Sequence, residues 1–336
     1  MLAILPFGRI IAAIAIWFFL ANIQEKNIRR IEICIAGCII TIFMMYSIDI
    51  SYQGTILLNE LLLLYVFWAC QNAYVKPVEY CHLRKVSLKS IGLIIVAAIF
   101  LFIMADYVNA CSMIAFQNLL DDSLQAIVNK PVEALVVVAI LPAIIEEFLF
   151  RGMIYRGIAN KSNKKIAIII SALLFAFLHM NFNQMCYAFV MGLVFAIVIY
   201  LTDNLSVSIL LHMLFNAFTV IITCFEKSNA IQAILQCNIA GYTLFNPSLT
   251  DTQGKIEISL LIIGGLIAIL SAVIAGWLIL LIAKTEKTTE TTINNKNILK
   301  DNDNIFKNNE KWKPDLRFFA GSGVCILIAI LYEILL

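Results

Sequence analysis

Charge is what this sequence has least of. Only 14% of its 336 residues are Asp, Glu, Lys or Arg, while 62% are hydrophobic; soluble domains sit nearer a quarter charged and half apolar. A water-exposed surface cannot be built from that stock. The net charge of +2 and the lack of any basic cluster interleaved with aromatics argue against nucleic acid as a partner. Histidine is scarce, with three copies, and HExxH, the soluble zinc-protease arrangement, is missing. The nine cysteines form no CxxC pair or even-spaced framework and read as small apolar helix residues. Internal repeats and paired broken segments are missing too, which speaks against an inverted-repeat transporter.

What is abundant is apolar sequence in runs of about 18–25 residues, the length a helix needs to cross the hydrocarbon core. Such runs cover 2–21, 31–48, 56–75, 88–105, 132–151, 166–183, 185–202, 205–223, 256–283 and 317–335. The first reads as a retained span rather than a signal peptide. It has no basic stretch before it, and Glu25-Lys26 and Arg29-Arg30 follow. The expected fold class is all-α, a polytopic membrane helical bundle of about 8–10 transmembrane helices. Lys and Arg concentrate in alternate connections: Lys26, Arg29 and Arg30; Lys76, Arg84, Lys85 and Lys89; Arg156, Lys161, Lys164 and Lys165; and the stretch after 284. Odd-numbered connections are therefore expected on the cytoplasmic side, with the N-terminus outside. The domain reading is a transmembrane domain over 1–283 with its core at about 130–225, a polar cytoplasmic linker at 284–316, disordered or loosely helical, and a C-terminal transmembrane helix at 317–336.

Ionisable groups inside spans are the informative ones, since each costs about 2.5–3.5 kcal/mol at a helix centre on insertion scales. Glu146-Glu147 lie in ALVVVAILPAIIEEFLFRGMIYRGI, four residues after Pro142, which removes one backbone donor and bends the helix. Glu147 and Arg151 stand at i and i+4, acid first, the favourable order for an ion pair. Glu146 points about 100° away around the helix, and Phe150 occupies its i+4 position. His82 falls in a basic loop and reads as a solvated residue. His179 and His212 fall inside apolar runs, and Asn216 shares a face with His212. Peptide hydrolysis needs an activated water and a stabiliser for the oxyanion. Glu146 could act as general base assisted by His179, with His212 and Asn216 donating to the oxyanion. Alternatively Glu146, His179 and His212 could hold Zn²⁺ and leave a position open for water. The residues alone leave both open.

At these positions the chain resembles the CAAX-prenyl-endopeptidase-like intramembrane proteases, the CPBP or Abi family. Their signature, EExxxR, then FxxxH, then HxxxN, is matched here by Glu146-Glu147 with Arg151, by Phe175 with His179, and by His212 with Asn216. The resemblance implies a helical membrane enzyme, multi-pass in a bacterial plasma membrane. Its active site would be Glu146, His179, His212 and Asn216, with Glu147, Arg151 and Phe175 in support. It also implies either metal-assisted or metal-free water activation, so zinc or no cofactor. The expected partners are membrane lipid and a peptide or membrane-anchored protein substrate, cut near the cytoplasmic face. A catalytically silent immunity or binding protein is the alternative, and a transporter a more distant one. The resemblance covers about 130–225; residues 1–100 and the tail after 284 have no counterpart in it. Nothing in the sequence sets an oligomeric state.

Overall fold

The computed structural model describes residues 80–116, 128–179, 181–251 and 253–294, with isolated positions at 54, 57, 58, 61, 323, 326, 327, 329 and 330. Apart from those isolated positions, the expected spans at 2–21, 31–48, 56–75 and 317–335, and the linker beyond 294, lie outside the described residues. Among the described residues, seven helical elements follow one another. They are α1 (Leu88–Met113), α2 (131–161), α3 (Lys164–Phe177), α4 (Phe182–Thr202), α5 (Leu205–Cys224), α6 (Asn229–Leu235) and α7 (Ile258–Asn294). A short hairpin of β1 (Asn238–Ile239) and β2 (Tyr242–Thr243) sits between α6 and α7. Among the described residues, α1, α4, α5 and the 258–288 part of α7 are long and apolar enough to cross a membrane. The chain is an integral membrane protein.

Polar side chains punctuate the apolar sequence where helices begin. Ser87, Asn163, Asn181, Asn204 and Ser228 each cap the helix that follows by accepting from a first-turn backbone N–H. Asp203 turns the chain between α4 and α5 in a left-handed conformation (φ 50°), which Asp tolerates better than most residues. Two spans differ from the hydropathy pattern. The run at 166–183 yields only the 14-residue α3, because its last residues form a turn and the Asn181 cap. At the other end of the chain, α7 continues past 284 to Asn294, into the stretch expected to be linker.

α2 is helical throughout but alternates in winding: π-helical over Leu135–Ile140, α-helical over Leu141–Glu147 and π-helical again over Phe148–Tyr155. π-helical turns leave backbone groups poorly served and are frequent at functional sites. Neighbouring helices serve two of these carbonyls. Asn216 Nδ2 donates to Val138 O (3.2 Å) and Ser171 Oγ to Phe150 O (3.1 Å). Val138 is the carbonyl that an α-helix would pair with residue 142. That residue is a proline, so Asn216 supplies the donor that Pro142 lacks.

α3 and α5 both pack on α2, while α4 packs on both of them. The expectation that 132–158, 166–183 and 205–223 are mutual neighbours therefore holds for two of the three pairs; α3 and α5 meet mainly through side chains. Close approach of α3 and α4 needs Gly192, where a Cβ would come within 3.0 Å of Ala172 Cα.

Residues of the third, fifth and seventh connections meet at one end. Asp203 accepts from Arg156 Nη1 (2.7 Å) and Arg84 Nη2 (3.4 Å), and binds His82 Nδ1 at 2.6 Å. The solvated-loop reading of His82 is thus corrected: the ring is anchored to Asp203, and its carbonyl accepts from Leu205 N. Glu286, inside the stretch expected to be linker, is buried. It accepts from Ser87 N (3.2 Å) and Asn204 Nδ2 (3.1 Å), joining the starts of α1 and α5, where helix dipoles favour an anion. Burial would raise the Asp203 carboxyl, but the His82 hydrogen bond and the Arg156 guanidinium outweigh it and hold the pKa at about 2.

Candidate active site

Glu146 and Glu147 close the α-helical stretch of α2, between its two π-helical stretches. Both are buried. The ion pair expected from the i, i+4 spacing is formed: Arg151 Nη1 donates to Glu147 Oε1 at 2.8 Å, and both side chains are 0% exposed. Arg151 Nη2 donates to Gly192 O (3.0 Å), the carbonyl that the close α3–α4 contact brings within reach. The guanidinium carbon lies 4.4 Å from the centre of the Phe175 ring and 5.2 Å from that of Phe195. A guanidinium away from water is tolerable when paired, hydrogen-bonded and covered by aromatic faces in this way.

Glu147 does more than pair with Arg151. Ser208 Oγ donates to its Oε2 at 2.6 Å, and His212 Nδ1 lies 3.1 Å from its Oε1. Glu146 Oε2 lies 3.9 Å from the other imidazole nitrogen, His212 Nε2. Two adjacent carboxylates therefore straddle one ring. Phe195 stacks on that ring (centroids 4.7 Å, 21°) and Phe175 meets it edge-on at 5.7 Å.

His179 is placed by the end of α3. Helix termini leave carbonyls without intrahelical donors, and here the backbone tightens, with His179 N donating to Ala176 O. The Phe175 carbonyl instead accepts from His179 Nδ1 (2.9 Å). A carbonyl only accepts, so Nδ1 carries a proton. Phe175 thus links the site: its ring is 5.2 Å from His179, 5.7 Å from His212 and 4.4 Å from the Arg151 guanidinium. That gives the FxxxH spacing a physical reason. The structure brings Glu146, Glu147, Arg151, Phe175 and His212 into direct contact, with His179 across Phe175 from His212. Asn216 stands one turn beyond His212, its carboxamide on Val138.

Zinc would need Glu146, His179 and His212 around one point. Among the described residues, no three His, Cys, Asp or Glu side chains are grouped to hold a metal ion.

Sequence reasoning missed Ser208. It lies four residues before His212 on the same face of α5, so the spacing was a usable signal. In depth, Ser208 and His212 stand about 5 and 10 Å along α5 from its start at Leu205, at a rise of 1.5 Å per residue.

Comparison with known proteins agrees on the same stretch. Residues 128–218 match the family model described as type II CAAX prenyl endopeptidase Rce1-like. The membrane-embedded CAAX protease MroQ of Staphylococcus aureus (strain USA300) is 34% identical over 116 residues, 33% of this chain and 47% of that protein. The putative membrane peptidase YdiL of Bacillus subtilis (strain 168) is 31% identical over 87 residues, 26% of this chain and 36% of that protein. The chain spans at most about half the length of these relatives. No solved structure matches.

Proposed function

We propose that the chain, whose residues 128–218 match the type II CAAX prenyl endopeptidase Rce1-like family model, is an intramembrane endopeptidase cutting a peptide bond near the cytoplasmic face. The observation that carries the proposal is the pairing of Glu146 with His212 (3.9 Å) inside a bundle where a carboxylate needs a reason to be.

Glu146 takes a proton from water as the water oxygen adds to the scissile carbonyl carbon. The oxyanion so formed is met by the second amide N–H of Asn216, and His212, whose Nδ1 faces Glu147, turns Nε2 towards Glu146 to accept from its newly protonated carboxyl. Collapse breaks the C–N bond, and the proton on Glu146 passes to the leaving amine. His179, with Nδ1 tied to Phe175 O, presents Nε2 as an acceptor that helps to orient the water. Arg151 keeps Glu147 in place and touches no reacting atom. The substrate class proposed is a membrane-anchored peptide or protein, with CAAX-type prenylated chains as the first to test, since one similar protein is named a CAAX protease.

The test uses the full chain in proteoliposomes with farnesylated and unmodified CAAX peptides and a set of membrane-anchored peptides, followed by mass spectrometry. Wild type is expected to release a C-terminal fragment that Glu146→Gln and His212→Gln do not. An equal yield from Glu146→Gln would refute the assignment.

A further inference from the structure

His212 makes its hydrogen bond at Nδ1, to Glu147, while Nε2 faces Glu146 at 3.9 Å. We propose that Ser208 and Glu147 form a positioning relay that fixes Nδ1 of His212 as its protonated nitrogen and leaves the chemistry to Nε2. Ser208 is thereby a positioning residue for hydrolysis. The relay rests on the proteolytic reading only for its catalytic consequence; the geometry stands without it.

Glu147 is a carboxylate with assigned bonds. Oε1 receives Arg151 Nη1 (2.8 Å) and faces His212 Nδ1 (3.1 Å), while Oε2 receives Ser208 Oγ (2.6 Å). A carboxylate bound by a guanidinium and a hydroxyl donor accepts from the imidazole, so Nδ1 must be the N–H. Ser208 is 0% exposed, and its other contact is to Phe195 O at 3.4 Å. Its hydroxyl therefore has an acceptor in reach whichever way it turns, and the shorter, charged one is Glu147. Arg151 holds one oxygen of that carboxylate and Ser208 the other, so the carboxylate plane cannot rotate away from His212. The Phe195 stack sets the ring plane. With the Nδ1 edge held, Nε2 points at Glu146 Oε2. Ser208, His212 and Asn216 recur every four residues on one face of α5, which presents three successive functions to α2: hydroxyl to Glu147, imidazole to both carboxylates, carboxamide to Val138.

The chain holds three histidines, so uniformly 15N-histidine-labelled full-length protein in detergent micelles gives a simple spectrum, and His212→Gln identifies the His212 signals. The expected wild-type pattern is a pyrrole-like Nδ1 and a pyridine-like Nε2. Ser208→Ala should shift population towards Nε2–H, and lower kcat on the farnesylated probe peptide about tenfold with KM unchanged. Ser208→Thr, which keeps the hydroxyl, should restore both readouts. A wild-type His212 found as Nε2–H, or as an even mixture, overturns the relay without reference to any variant. A Ser208→Ala protein with wild-type tautomer and kcat removes Ser208 from it. If the predicted tautomer is found and no peptide is cleaved by wild type, the proteolytic reading fails and the relay stands.

Discussion

Removing Arg151 should destabilise the bundle more than any other single substitution at the site. Arg151→Ala strips Glu147 of its guanidinium (2.8 Å), leaves Gly192 O without its donor (3.0 Å), and empties the space under the Phe175 and Phe195 rings. Both members of the pair are 0% exposed, so solvent cannot step in. Breaking a buried pair on one side costs about 3–5 kcal/mol, mostly through the charge left behind. At about 2–4 °C per kcal/mol for a chain of 150–250 residues, and less for a longer one, a fall in Tm of about 10 °C is expected. The assay is thermal unfolding of the detergent-purified protein, read by size-exclusion chromatography after heating. The double variant Glu147→Gln with Arg151→Met removes both charges and should lose less than the two single changes added together, because the partners interact directly. Arg151→Lys keeps the charge, but one ammonium cannot imitate a fork that reaches both Glu147 and Gly192 O, so it should fall between wild type and Arg151→Ala. A Tm within about 1 °C of wild type for Arg151→Ala, or strict additivity in the double variant, would refute a buried, mutually compensating pair.

Three further outcomes follow from particular contacts. Gly192→Val places methyl groups where even a Cβ would come within 3.0 Å of Ala172 backbone; yield and Tm should drop by an amount worth about 1–3 kcal/mol, and an unchanged Tm would contradict the close crossing. At the turn between α4 and α5, the Asp203 carboxyl is held at about 2, below its ordinary 3.8, so its stabilising contribution is present above about pH 4 and is lost as pH falls through about 2. The side chain is 49% exposed, so the effect is screened to about 1 kcal/mol or less. The Tm difference between wild type and Asp203→Asn should be constant above pH 4 and vanish near pH 2; a difference that grows on acidification would reverse the sign. If Glu146 alone activates the water, as proposed, 1,10-phenanthroline and EDTA should leave peptide cleavage unchanged; loss of cleavage restored by added zinc would contradict the carboxylate-base mechanism.

Much of the site is readable from spacing alone. Glu147 and Arg151 meet because i and i+4 share a helix face, and His212 and Asn216 do so for the same reason. The division of labour between the two glutamates is less visible. Glu147 looks in the sequence like the partner of Arg151, whereas in three dimensions it also receives Ser208 and His212 from α5, a contact across more than sixty residues that no local pattern encodes. Pro142 signals a bend in α2, but not that the helix rewinds into π turns on both sides of the glutamates, nor that Asn216 fills the donor gap. The end of α3 is hidden because Leu178, Met180 and Phe182 keep hydropathy high across a turn, although Asn181 is a cap signal within it. Glu286 lies in a stretch whose Lys and Thr content reads as linker, yet Glu and Lys are good helix formers. A carboxylate at the starts of α1 and α5 gives that end of α7 a fixed place.

The most direct measurement is cleavage in heavy-oxygen water. Purified full-length protein in proteoliposomes is incubated in H2(18)O with the membrane-anchored probe peptides, and the new C-terminus is analysed by mass spectrometry. Hydrolysis by a Glu146-activated water predicts one 18O atom in the new carboxyl group for wild type, and a rate lower by at least about 10²-fold for Glu146→Gln at unchanged Tm. Cleavage at the wild-type rate by Glu146→Gln, or no cut in any probe by a wild-type protein that is folded and monodisperse, would contradict it.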